Sequence, residues 1–168
     1  MKKVALVIAE KQFRDEEYQV PRDLLLNAGF DVLTVSTSKN TAVGKLGMKV
    51  TPDTLITDLD PAELDALIFI GGGGSEQYFD DPLAHRLART MVDLDKVLGA
   101  ICIAPVILAN ANVLRGKKAT VFPDGASILK QNGADYTGAD VEVDGKIITG
   151  NGPEAADAFG RALIDLLS

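Results

Sequence analysis

Cys102 is the only cysteine of the chain. It lies in 97-VLGAICIAPVILAN-110, inside a small-x-Cys-x-small pattern of Ala100, Ile101, Cys102, Ile103 and Ala104. A strand that turns sharply into a helix needs small residues two before and two after its tip, because larger side chains collide there. A thiol at such a tip meets free N–H groups and a helix dipole, which favour the thiolate. Pro105 suits the first turn of that helix. A free thiol is only a few per cent ionised at neutral pH; a pKa of about 5–6 would make the thiolate dominant. The same residues also fit a buried cysteine that packs as a small hydrophobe. The pattern leaves both open.

Two further stretches carry chemistry. The run 71-GGGGSEQ-77 follows an apolar segment. It fails the dinucleotide spacing, since Glu76 occupies the last glycine position, and no lysine follows to make a phosphate loop. Its glycines either turn backbone N–H groups toward a neighbouring site, as in an oxyanion hole, or form a flexible turn. The stretch 10-EKQFRDEE-17 holds Glu10, Asp15, Glu16 and Glu17. Charges at a helix start are usually a solvated face that the dipole favours, but one carboxyl could face Cys102. His85, the only histidine, lies in PLAHRLAR and fits a surface or packing role. One histidine and one cysteine cannot build a three-ligand His/Cys metal site, and no Ser/His/Asp set is present. No metal and no cofactor is expected.

The elements that would position these residues alternate along the chain. Strand patterns fall at Val4–Ala9, Asp31–Ser36, Met48–Thr51, Ala66–Ile70, Val97–Ile101 and Lys118–Val121. Helical patterns fall at Asp15–Asn27, from Pro82 to about Leu94, at Ala104–Asn112, Ser127–Asn132 and Pro153–Leu167. Residues 37–45 read as a loop, and VEVDGKIIT, spanning Asp140–Asp144 and Lys146–Thr149, reads as a hairpin about Gly145. Such alternation implies an α/β fold with a mainly parallel sheet and helices on both faces. The chain reads as one domain over residues 1–168. Ligands of such sheets bind beyond the carboxyl ends of the strands, where all three chemical stretches fall.

Composition narrows the function classes. The chain has 168 residues and a net charge of -7, with 46% apolar and 24% charged residues. Its lysines and arginines are scattered, which argues against nucleic acid and anionic membranes as partners. The first apolar run is too short for a signal peptide or a membrane helix. A lone thiol suits a reducing compartment, so a cytoplasmic location is expected.

Taken together, KVALVIAEKQFRDEEYQVPRDLLLNAGFDV, ALIFIGGGG, GAICIAPVILANANVLRGKKATVFP and DVEVDGKIITGNGP resemble the ThiJ/PfpI family of the class I glutamine-amidotransferase-like superfamily. The resemblance spans nearly the whole chain and implies a flavodoxin-like fold. It implies a nucleophilic role for Cys102 and a protonated, hydrogen-bonding role for Glu17, which stands in FRDEEYQVP before Pro21. It implies oxyanion-type backbone N–H groups at Gly73 or Gly72 and at Ile103. The chain departs from the family at both of its histidine positions, which hold Ile103 and Phe122. Glu76 stands near the place where some members supply a glutamate from a neighbouring subunit, although Gln77 aligns slightly better.

The resemblance thus implies a stress-response protein with an oxidation-sensitive cysteine that acts on small electrophiles such as 2-oxoaldehydes. One alternative is a cysteine peptidase or amidase with a base from a second subunit. Another is a non-enzymatic chaperone-like or binding module. Members of the family are usually homodimers or larger homo-oligomers.

Overall fold

β-branched, near-continuous apolar runs build the centre of the molecule. In the computed structural model, which describes residues 1–168, they form β1 (Lys3–Val7), β7 (Ala66–Phe69) and β8 (Val97–Ile101), whose residues are buried almost without exception. Strands buried on both sides have no polar face to show, which is why their sequence does not alternate. The other strands are β2 (Lys11–Phe13), β3 (Asp31–Ser36), β4 (Ala42–Gly44), β5 (Lys49–Val50), β6 (Thr54–Leu55), β9 (Lys118–Ala119), β10 (Asp135–Tyr136), β11 (Val141–Asp144) and β12 (Ile147–Gly150). The helices are α1 (Asp15–Asn27), α2 (Pro82–Asp93), α3 (Pro105–Asn110), α4 (Ala126–Gln131) and α5 (Ala156–Leu167).

The main sheet has seven strands in the order β11-β12-β8-β7-β1-β3-β6. Only the edge strand β11 is antiparallel, paired to β12 with Asp144 opposite Ile147. Gly145, at φ 61°, opens the two-residue turn between them, a position that favours glycine. Helices α1 and α5 pack on each other and on the sheet, as do α2 and α3 on the other side. Gly160 makes the first contact close: a Cβ there would lie 2.8 Å from Leu24 Cδ1 and 3.1 Å from Pro21 Cα. A single cluster of 43 buried apolar residues runs through both layers. This is a mainly parallel, flavodoxin-like α/β fold. No helix is long and apolar enough to cross a membrane.

The short elements differ most from the sequence pattern: Lys11–Phe13, Thr54–Leu55 and Asp135–Tyr136 are strands that it does not show, and the strands expected at Met48–Thr51 and Lys118–Val121 shorten to Lys49–Val50 and Lys118–Ala119. The stretch 37–45 is not all loop: Ala42–Gly44 is a strand, parallel to β2 and antiparallel to β5. Strands of two or three residues carry too few side chains for a period to show. The helix after Cys102 spans only Pro105–Asn110 rather than Ala104–Asn112, because Asn112 turns to φ 63° and ends it.

Candidate active site

Strands β8, β7 and β1 are neighbours, so the three loops leaving their carboxyl ends converge. Cys102 caps β8 with φ 64°, in the left-handed region that a side chain with a Cβ rarely occupies. The strain is held from both sides: the Cys102 N–H donates to Gly150 O at 2.9 Å, and its carbonyl accepts from the Phe122 N–H at 2.7 Å. Ala104 follows in helical conformation and Pro105 is the first residue of α3. The thiol is half-buried rather than sealed in the core.

The acidic stretch divides by direction. Residues two apart on a helix point roughly 200° apart. Asp15 and Glu17, both buried, therefore serve opposite sides of α1. Asp15 accepts from the Leu46 N–H at 3.0 Å and the Met48 N–H at 2.9 Å, which anchors the turn after β4. Glu16 pairs with Arg14, whose Nε and Nη2 reach its two oxygens at 3.0 and 2.9 Å, and the guanidinium holds Glu16 below the usual carboxylate range. Glu10 binds Thr37 Oγ1 at 2.8 Å, away from the thiol. Only Glu17 turns to Cys102.

Glu17 is 0% exposed, and neither of its oxygens makes a hydrogen bond of regular geometry. The polar groups facing it are Cys102 and the Gly71 backbone. The approach is close enough that a Cβ on Gly71 would lie 2.5 Å from Glu17 Oε1 and 2.6 Å from Cys102 Cβ. Burial pushes the carboxyl up to about 8. At neutral pH it therefore carries a proton, and the Cys102 sulfur is the acceptor beside it.

The expected low-pKa thiolate needs correction. Burial first, and then the Glu17 carboxylate, push the Cys102 thiol up to about 12. The helix that was to oppose this is only six residues long. Two acids this close do not ionise independently, so the pair loses its protons in steps that belong to both groups. While Glu17 keeps its proton its repulsion is absent. The backbone N–H groups of Gly72 and Ile103, which favour the sulfur anion, then work against burial alone.

The glycine run supplies Gly72 to the sulfur, with φ 101° and no room for a Cβ against the Gln12 and Arg14 backbone. Gly73 is exposed and lines the open pocket above Cys102. This pocket is a cavity of about 350 Å³. Ile103, Phe122 and Pro153 form its apolar wall, and Arg14, Lys45 and Asp124 its charged rim. Both positions where the family carries histidine thus line the pocket with apolar side chains. Glu76 is exposed and lies on a separate groove with Thr37 and Asp81, so one protomer does not bring it to Cys102. His85 binds the Phe79 carbonyl at 2.7 Å and does not line the pocket. No group of three His, Cys, Asp or Glu side chains is placed to hold a metal ion.

Sequence reasoning passed over Arg14, Lys45 and Asp124. Arg14 lay inside the acidic stretch but was hidden by its carboxylates. Lys45 reaches the pocket only through the β2–β4 pairing, which left no periodic signal. Asp124 lies directly after the histidine-type position that Phe122 occupies and its proline, and adjacency to that position was its one cue.

Comparison with known proteins matches residues 2–166 to the model of the DJ-1/PfpI family. An uncharacterized protein of Methanocaldococcus jannaschii is 42% identical over 96% of this chain and 80% of its own length. A Bacillus subtilis protein named as a candidate cysteine protease is 33% identical over 99% and 98%. A Pyrococcus abyssi protein named a deglycase is 32% identical over 96% and 98%. Among solved structures, a ThiJ/PfpI domain protein from Brachyspira murdochii superposes with a TM-score of 0.96 at 32% identity, covering 98% of this chain and 95% of that one. An oxidized Toxoplasma gondii DJ-1 superposes with a TM-score of 0.90 at 27% identity, covering 99% and 91%.

Proposed function

The chain belongs to the DJ-1/PfpI family, and from that premise we propose that Cys102 is a reactive thiol of a stress-response protein, open to peroxide and to small electrophiles such as 2-oxoaldehydes. The observation that carries this is the pairing of an elbow cysteine at φ 64° with a fully buried, unpartnered Glu17. A buried carboxyl without a partner is costly unless it stays neutral, and a neutral one donates to the sulfur. The oxidized state of the Toxoplasma gondii structure and the deglycase name of the Pyrococcus abyssi relative support the same reading.

With peroxide, the sulfur attacks one peroxide oxygen as the thiol gives up its proton, the O–O bond breaks with its pair on the departing oxygen, and that oxygen leaves as water with the thiol proton. A second peroxide takes the sulfenic acid to sulfinic acid. With an aldehyde, a C–S bond forms and the carbonyl pair moves to oxygen, beside the Gly72 and Ile103 N–H groups. That oxygen then takes up one proton. Neither route requires histidine. Intact-mass spectrometry after mild peroxide tests the proposal: a gain of two oxygens mapped to Cys102 is expected. An unmodified thiol under those conditions overturns it.

Hydrolytic turnover is a second reading, favoured by one observation: Asp124 is the carboxylate that lines the pocket. The cysteine-protease name of the Bacillus subtilis relative supports it. Glu76 enters this reading only across an interface between protomers. Amide turnover lost in both Cys102→Ala and Asp124→Asn is expected, and turnover that survives Cys102→Ala contradicts it.

A further inference from the structure

We propose that the Cys102 pocket selects electrophiles that carry an anionic group, held by Arg14 and Lys45 at its rim. This rests on the reading of Cys102 as the reactive thiol and names the substrate class for it. The chain as a whole is acidic, at net charge -7. Yet the rim of this pocket carries Arg14 and Lys45 against Asp124; Glu16, outside the lining, offsets part of the Arg14 charge and leaves Lys45 as the freer cation. Inside the pocket, Glu17 is neutral while it holds its proton, so it does not cancel these cations.

The cations are placed by structure rather than by chance. The Lys45 N–H donates to Phe13 O at 2.8 Å, which fixes its backbone beside β2. The turn that follows is held through Leu46 and Met48 by the buried Asp15 carboxylate. Gly44 has no room for a side chain: a Cβ there would lie 2.7 Å from Asp15 Cγ. Lys45 Nζ itself makes no hydrogen bond and no ion pair within the protein. Arg14 is fixed through its backbone N–H, which donates to Gly71 O at 2.9 Å. Its guanidinium spends Nε and Nη2 on Glu16 and leaves Nη1 without a protein partner. It stands close enough to feel the charges of Glu17 and Cys102.

Arg14 and Lys45, each with a donor left over, thus line the same cavity as the thiol and the apolar wall of Ile103, Phe122 and Pro153. A ligand matching this has a short carbon skeleton, an electrophilic carbon and an anion beside it. A 2-oxo acid with an aldehyde carbon fits, and so does a phosphorylated small aldehyde. The shared chemistry is the anion.

Paired alkylation reads the field directly. The rates at which Cys102 reacts with iodoacetate and with iodoacetamide are measured in low salt and compared with free cysteine. The iodoacetate-to-iodoacetamide ratio is expected to exceed that of free cysteine by roughly fivefold to tenfold. It should fall toward the free-cysteine value in Lys45→Gln and in Arg14→Gln. For the unmutated protein it should fall in about 1 M salt, where the Debye length is about 3 Å. The salt arm stands even where a variant does not fold. Protection by acetate assigns a carboxylate, and protection by inorganic phosphate assigns a phosphate. A ratio equal to that of free cysteine and indifferent to salt overturns the inference while leaving Cys102 reactive. A Cys102 that neither reagent labels overturns the proposed function itself.

Discussion

At the scale of residues, the chemistry rests on where one proton sits. Glu17 in the folded protein keeps its proton up to about pH 8, whereas in the unfolded chain it is an ordinary carboxyl. Between those limits the folded state binds more protons than the unfolded one. The stability this group contributes is therefore full in acid and declines as pH rises to about 8, at up to about 1.4 kcal/mol per pH unit. Urea denaturation at about pH 5 and about pH 8 should show this decline in the natural protein and not in Glu17→Gln. The thiol responds in the same range. Once Glu17 ionises it repels the sulfur anion, so the alkylation rate of Cys102 should climb less than tenfold per pH unit above about pH 8. Glu17→Gln lacks that repulsion and should react faster than the natural protein at about pH 9, by roughly threefold to tenfold. Equal rates there would mean that Glu17 and Cys102 are not coupled.

At the scale of elements, two close approaches build the site. The glycine run passes between Glu17 and Cys102, so Gly71→Ala should push them apart, at a cost of about 1–3 kcal/mol and with slower alkylation. Gly73→Ala is the control, since a Cβ there meets nothing within 4 Å. Denaturation midpoints of the two variants distinguish a packed run from a loose one. The second approach is that of Asp15 to the turn after β4. Asp15→Ala leaves the Leu46 and Met48 N–H groups without their acceptor and should cost about 1–3 kcal/mol. It should also lower the preference of Cys102 for iodoacetate, because Lys45 is no longer held. These contacts show why the sequence revealed one half of the site. The small residues flanking Cys102 and the glycines after β7 are local requirements of sharp turns, visible in a row. That Glu17 rather than Glu10, Asp15 or Glu16 faces the thiol depends on how α1 rolls against the sheet. Spacing left the four open, and only the family resemblance pointed to Glu17.

At the scale of the whole molecule, the fold was legible because it rests on composition along the chain. Buried parallel strands read as apolar runs, and helices end at glycines such as Gly29 and Gly133, both at positive φ. The boundaries of α1, β3 and β8 follow from those signals alone. The pKa of Cys102 was not legible in the same way. It depends on how much water the assembled pocket excludes and on a carboxyl that lies 85 positions away in the chain, and neither has a local signature. The same burial that raises the thiol also keeps Glu17 neutral, so the acidity of the pair is a property of the folded molecule.

The most direct test is a crystal structure of the peroxide-treated protein. The expected density shows Cys102 as a sulfinate, one oxygen within hydrogen-bond distance of the Glu17 carboxyl and the other near the Gly72 and Ile103 N–H groups. An unmodified Cys102, with oxidation confined to methionines or with the Glu17 carboxyl turned away from the sulfur, would contradict the account.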